Sequence, residues 1–232
     1  GKRTSPIDGG NMNRVFPGDP DGTFTEKIAD YFNRTLLPMA DFVVDFHSGG
    51  KTLDFLPFCC AHVLDDKDQQ EKCIAAMKAF NAPHSVMLLE IDAVNMYDTA
   101  AENMGKVFIS TELGGGGSTT AYTVEIAKKG IRNILRHAGI TEGDLEVDET
   151  LNLDMPDDNC YIFSESTGLV EHCVDLGDEV KSGQLIAKVH NIERTGSPPD
   201  KYHAKIDGIF TGKHFPGHVV NGDFLGVIAV PV

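Results

Sequence analysis

The chain has no tryptophan and is short of positive charge. Its 20 lysines and arginines stand against 35 aspartates and glutamates, a formal net charge of −15. That balance excludes a nucleic-acid surface and an anionic-membrane surface as main partners. It is compatible with a substrate carrying a cationic group, although plain solubility explains it as well. No run approaches the roughly 18 apolar residues that a membrane-crossing helix needs. There are five cysteines, Cys59, Cys60, Cys73, Cys160 and Cys173, an odd number with no C-x-x-C pair. This usage argues against a disulfide framework and against a cysteine metal site. It reads as reduced, intracellular and hence cytoplasmic. The chain opens at Gly1-Lys2-Arg3 without methionine or a signal-like segment and is at once motif-dense, so an upstream part is expected to be missing.

What is present is enough for one large or two small domains: 232 residues, 41% of them hydrophobic. The run Ala40-Asp41-Phe42-Val43-Val44 reads as a buried strand that ends on Asp45-Phe46-His47-Ser48-Gly49-Gly50. A histidine where a buried strand gives way to a loop is well placed to enter a cleft, since ligands of open α/β sheets bind at the carboxyl ends of strands. A core histidine bonded to a neighbouring backbone group would look the same.

Before that strand, residues 1–22 have loop chemistry, rich in Gly, Pro, Asp and Asn, yet carry Arg3, Asn13 and Arg14. An arginine fork suits a carboxylate, and an adjacent asparagine amide adds donor geometry; solvated surface arginines are the plainer reading. Thr23 to Leu37 reads as a capped helix closed by Pro38. Thr52 to Leu64 is apolar and ambiguous. Asp65 or Asp66 caps a helix to about Phe80, residues 84–91 read as a strand, and 92–98 as a loop in which Glu90, Asp92 and Tyr97 are candidates for meeting an ammonium group. Lys106 to Leu113 is a further strand with Glu112 near its carboxyl end. Gly114 to Gly117 follow and lead into a helix with a stripe of Val124, Ile131, Ile134 and Leu135. A glycine run before a helix can bind an anion through its amides, but no G-K-[ST] follows, so this is no Walker loop.

Residues 141–158 are acidic and poorly patterned, a linker with an edge strand. From Cys160 onward short β-like runs alternate with glycine turns. The stretch Gly177 to Leu185 echoes Gly217 to Leu225 with spacings differing by one, which predicts a small barrel or sandwich of two similar halves. His203, His214 and His218 are expected on its solvent-exposed surface. The only H-x-x-E, His190 to Glu193, falls in a hairpin and is rejected as a metal site.

Arg3-Thr-Ser-Pro-Ile-Asp-Gly-Gly-Asn-Met-Asn13-Arg14, Asp45-Phe-His47-Ser-Gly-Gly and Thr111-Glu112-Leu-Gly-Gly-Gly-Gly, in this order, resemble the succinylglutamate desuccinylase/aspartoacylase family of zinc carboxypeptidase-like amidohydrolases. The strings TSPIDGGNMNR, DFHSGGKTLDF, LLEIDAVNMYDTA and STELGGGGS look most like its branch that deacetylates N-acetyl-2,4-diaminobutyrate in ectoine breakdown. The resemblance implies an α/β fold, a zinc-carboxypeptidase-like mixed sheet flanked by helices over residues 1–150, followed by a small all-β domain over 158–232. It implies one zinc per active site, with His47 as a ligand. Glu112 would be the general base, Arg3 would polarise the scissile carbonyl, and Asn13 with Arg14 would bind the carboxylate of a small N-acyl amino acid. Asp45, two residues before His47, would share its face and fix its tautomer.

The chain departs from the family in two ways. Arg3 stands farther from the Asn13-Arg14 pair than in aspartoacylases. The family's first two zinc ligands, an H-x-x-E upstream of the arginine loop, have no counterpart, so this chain alone is expected to be inactive. A non-catalytic binding protein on the same scaffold is the competing reading. The C-terminal segment also resembles a biotinyl/lipoyl hammerhead, but no lysine occupies the carrier turn, so a role in shaping the mouth of the site is expected. The residues leave the oligomeric state open, a homo-oligomer included.

Overall fold

The computed structural model describes residues 3–89, 94–194 and 196–232. Glu90 and Asp92 therefore lie outside the described residues. A 3-10 turn, Met12–Arg14, precedes α1 (Phe24–Tyr31), whose start is a capping box between Thr23 and Glu26. The helix does not stop at Pro38. It widens into a π turn, Phe32–Leu36, and ends in α2 (Leu37–Met39), with the Leu37 N–H reaching back to Phe32 O. Proline lacks an N–H and crowds the preceding turn, and the wider turn carries the chain past it.

Then come β1 (Phe42–His47), β2 (Leu53–Phe55), β3 (Phe58–His62), α3 (Lys67–Phe80), β4 (His84–Leu88), α4 (Tyr97–Asn103), β5 (Val107–Glu112) and α5 (Ala121–His137). The ambiguous stretch after Thr52 is thus two short strands, and the expected loop before Glu102 holds the start of α4. The remaining elements are β6 (Leu151–Met155), a 3-10 turn (Asp158–Cys160), β7 (Tyr161–Phe163), β8 (Gly168–His172), β9 (Glu179–Val180), β10 (Leu185–His190), β11 (Asp200–His203), β12 (Gly208–His214), β13 (His218–Val219) and β14 (Phe224–Pro231).

The strands form a mixed ten-stranded sheet, order β1-β5-β3-β4-β6-β14-β12-β2 with β7 on β14 and β9 on β12, and an antiparallel sheet β11-β10-β8-β13. β6 is not an edge strand. It pairs in parallel with β4 and antiparallel with β14, and its Leu153 and Met155 are buried. It joins the helix-flanked strands to the all-β part through a core that includes Phe58, Val86, Leu153, Ile209 and Val227.

One face of β1, β5 and β3 is covered by α3 and α5, around Cys59, Ile109, Met77, Phe80 and Ile134. The inward stripe of α5 is not the one its aliphatic residues predict. Thr123, Ile126, Gly130 and Asn133 face the core beside Ile134, while Val124 is exposed. The Phe80 ring sits where a Cβ on residue 130 would be, so a glycine there sets the rotation of the helix. On the opposite face, Leu37, Val43, Ala101 and Phe108 close the lower half, and the carboxyl ends of β1 and β5 stay open.

The C-terminal echo is a structural repeat. β8-β9-β10 and β12-β13-β14 follow one plan, and each half lends its short strand to the other: β9 pairs with β12 and β13 with β8. Val180 and Val219, one in each short strand, are fully buried in a shared core. His214 is not on the surface as expected. It is 3% exposed, with its ring nitrogens against Phe224 O at 3.1 Å and His218 O at 3.0 Å. His203 and His218 are exposed.

Candidate active site

A cleft of about 1300 Å³ opens over the carboxyl ends of β1 and β5. β1 and β5 run parallel with Asp45 opposite Ser110 and His47 opposite Glu112. Side chains on one rung, or two residues apart on one strand, share a face. Asp45, His47, Ser110 and Glu112 therefore all line the cleft. The buried Thr111 hydroxyl accepts the His47 N–H at 3.2 Å and so tethers the last residue of β1 to β5.

Asp45 Oδ2 lies 2.8 Å from His47 Nε2. This hydrogen bond is the main reason the His47 imidazole holds its proton more tightly than usual; burial opposes it. It also leaves Nδ1 as the ring nitrogen for another partner. Glu112 is pushed up to about 7, chiefly by burial, with the His47 charge pulling the other way. Its Oε2 is buried without a hydrogen-bond partner in the structure. A carboxylate with an unanswered buried oxygen in a cleft is poised for a ligand or a proton.

Glycine-rich loops follow the two strands. They are laced together: Gly49 N–H to Gly114 O at 2.9 Å, Gly116 N–H to Leu53 O at 3.0 Å and Gly117 N–H to Gly50 O. A Cβ on Gly115 would lie 2.0 Å from Leu53 O, and one on Gly49 2.3 Å from it, so neither position has room for a side chain. Of the Gly114 to Gly117 amides that the anion reading needs, those of Gly116 and Gly117 are spent on this lacing.

The loop before α1 crosses the cleft and brings Arg3, Asn13 and Arg14 to its lining. Several bonds anchor it, among them the Phe16 N–H to Asn95 O at 3.1 Å. Asp8 accepts the Thr25 N–H at 2.6 Å and the Thr25 hydroxyl at 2.7 Å, tying the loop to the start of α1. Asn13 Oδ1 accepts the Tyr97 N–H at 2.7 Å, tying it to the start of α4. Arg3 and Arg14 are exposed, and Arg14 Nη1 donates to Asn13 O at 2.6 Å.

The structure thus brings all five expected site residues to one cleft. Tyr97, a candidate for an ammonium partner, is not there; its ring packs against Phe16, Phe32 and Phe108. His62 and Asp98 are among the lining residues that were missed. His62 ends β3 and its Nδ1 meets Glu102 Oε1 at 2.8 Å, both side chains nearly buried. Asp98 lies one residue past Tyr97. His62 ends an apolar run just as His47 does, which is a usable signal; Asp98 carries none. The all-β part supplies the far wall with Tyr161, Phe224 and Val227.

Neighbouring parallel strands of a mixed sheet thus end on a histidine and a buried glutamate, under an arginine-bearing loop, at the floor of a cleft sized for a small molecule. Residues 1–138 match the succinylglutamate desuccinylase/aspartoacylase catalytic domain. The chain is 53% identical over 231 residues to N-alpha-acetyl-L-2,4-diaminobutyric acid deacetylase of Halomonas elongata, covering 99% of this chain and 68% of that protein. Among solved structures, the product-bound ectoine utilization protein EutE (DoeB) of Ruegeria pomeroyi superposes with a TM-score of 0.97 at 62% identity, covering 99% of this chain and 70% of that one. A succinylglutamate desuccinylase from Silicibacter superposes with a TM-score of 0.95 at 60% identity, with the same coverage. The chain belongs to the succinylglutamate desuccinylase/aspartoacylase family.

Proposed function

We propose that this protein hydrolyses the amide of an N-acyl amino acid, with N-α-acetyl-L-2,4-diaminobutyrate as its substrate and acetate and 2,4-diaminobutyrate as products. The observation that carries the chemistry is the His47–Glu112 rung, with Glu112 exchanging its proton near neutrality. The substrate comes from the named activity of the Halomonas elongata relative.

The reading includes a zinc ion, with His47 Nδ1 as one of its ligands. Two features of the cleft fit such an ion: Asp45 fixes the imidazole through its other nitrogen, and the buried Oε2 of Glu112 has no partner. Among the described residues no group of three or more His, Cys, Asp or Glu completes the site. When bound, zinc lowers the pKa of a water molecule to about 7 and polarises a carbonyl.

Glu112 takes the proton of the attacking water and delivers it to the leaving amine nitrogen; its pKa near 7 suits it to both tasks. Arg3 faces the oxyanion that grows on the amide carbonyl. Arg14, with the amide nitrogen of Asn13, receives the substrate carboxylate. Residues 1–150 act as the catalytic domain, and the β-rich residues 158–232 shape the mouth of the cleft. The cysteine usage supports a cytoplasmic setting.

The test is acetate release by the zinc-loaded full-length protein from a panel of N-acyl amino acids. N-α-acetyl-2,4-diaminobutyrate is expected to have the highest kcat/KM, and Glu112→Ala to abolish release. A best rate with succinylglutamate or acetylaspartate would overturn the substrate and keep the reaction. No release from any amide, with ligand binding intact, would leave a binding protein on this scaffold.

A further inference from the structure

The proposed substrate carries two charges besides its amide, a carboxylate and a terminal ammonium. Arg14 answers the first. Among the described residues, the cleft lining of this acidic chain holds one carboxylate that neither the reaction nor the packing uses: Asp98, in the first turn of α4.

Asp98 lines the same cleft as His47 and Glu112. Its charge is felt at the His47 imidazole and at the Cys60 thiol, so it stands over the same floor. The Thr99 N–H and hydroxyl both donate to Oδ1, which fixes the side chain and leaves Oδ2 free of these bonds. Among the described residues no lysine, arginine or histidine forms an ion pair with it. A carboxylate that is held by its own turn and has no cation paired with it among the described residues is a ready acceptor for an ammonium group. The arginines belong to the loop before α1 and Asp98 belongs to α4. Asn13 Oδ1 and the Tyr97 N–H join these two segments, so the cationic and anionic poles of the cleft are held at a set spacing.

Resting on the functional reading above, we infer that Asp98 is the specificity-determining residue that receives the terminal ammonium of the substrate. It selects diaminobutyrate derivatives over acyl amino acids with neutral or acidic side chains. Asp98 takes no part in proton transfer; it orients one end of the substrate while Arg14 orients the other. Removing its charge should therefore change which substrate is chosen rather than the rate once bound.

The experiment compares kcat/KM of the zinc-loaded full-length protein for N-α-acetyl-2,4-diaminobutyrate and N-acetyl-2-aminobutyrate, which lacks only the terminal ammonium. Wild type is expected to prefer the cationic substrate, and Asp98→Asn to reduce that preference by about tenfold or more, mainly through KM. Activity on the neutral analogue should stay within about threefold of wild type. This also shows that the variant is folded. Asp98→Glu should restore part of the preference. An unchanged ratio, or equal losses on both substrates, would overturn the role of Asp98 and leave the deacetylase reading standing. Failure of the wild type to hydrolyse either amide would overturn both.

Discussion

His47 and Glu112 are paired residues on the last rung of two parallel strands, and they are the two groups on that rung that titrate. Burial holds the carboxyl group of Glu112 near 7 instead of its ordinary 4.5. A carboxyl group whose pKa rises on folding binds its proton more tightly in the folded chain than in the unfolded one. Stability therefore falls as pH rises from about 4.5 to about 7 and stays lower beyond. Glu112→Gln removes that penalty. In protein stripped of divalent cations, its Tm should exceed wild type at pH 8 and match it near pH 4, with kcat in the loaded enzyme down by about 10²–10⁴. Parallel Tm–pH curves for the two proteins would contradict the buried-carboxyl account. A cation beside His47 should draw the transition to lower pH.

Asp45 holds His47 through a 2.8 Å bond to Nε2. Asp45→Asn keeps the shape but weakens the hold on the imidazole. Zinc affinity, measured by chelator competition, should fall by about 10–100-fold. Activity should recover as zinc is added. Loss that no zinc concentration restores would mean that Asp45 touches the substrate itself.

Asp8 never reaches the cleft lining, yet it fastens the loop that carries Arg3 and Arg14 by accepting two hydrogen bonds from Thr25. Those bonds hold its carboxyl well below the usual range. Its contribution is therefore present above about pH 4 and is lost as pH falls through the depressed pKa. Asp8→Ala should lower kcat/KM by about tenfold or more through misplaced arginines. The substrate preference should be unchanged. A variant with wild-type kinetics would show that the remaining anchors suffice.

Gly130 lies in the middle of α5, where alanine ordinarily favours a helix by about 1 kcal/mol. Here the added Cβ would come within 2.2–2.5 Å of the Phe80 ring, both groups being in the core. Overpacking costs about 1–3 kcal/mol, so Gly130→Ala should lower stability in urea unfolding despite its helix propensity. Phe80→Leu in the same background should return part of the loss.

Sequence was most informative where a period or a cap spoke for itself. The strand ending on His47, the strand ending on Glu112 and the helix capped by Asp66 lie where their patterns put them. The doubled barrel was readable as a faint glycine echo, because each half needs the same turns. Features settled by distant partners were not legible. β6 sits between β4 and β14, and no local pattern distinguishes an interior strand of five residues from an edge. The face of α5 was misjudged because an aromatic ring from another helix occupies the space over a glycine. At the site, residue types at strand ends gave His47 and Glu112. Tyr97 looked like a ligand-binding residue, but its ring belongs to an aromatic cluster that only the fold assembles, and the adjacent Asp98 lines the cleft instead.

β14, residues Phe224–Pro231, sits between β6 and β12 in the middle of the large sheet, and β12 in turn holds β2, immediately after the histidine loop. These strands leave the ribosome after almost everything they bind. During synthesis the segment around His47 must wait, with its sheet unfinished, for about 170 further residues at roughly 5–20 per second. Between the synthesis of β1 and that of β14 the nascent chain is thus without a closed cleft, and its apolar strands are exposed to neighbouring chains in that interval. A ribosome paused before β14 would hold a chain that already carries His47 and Glu112 and still lacks the wall that closes over them.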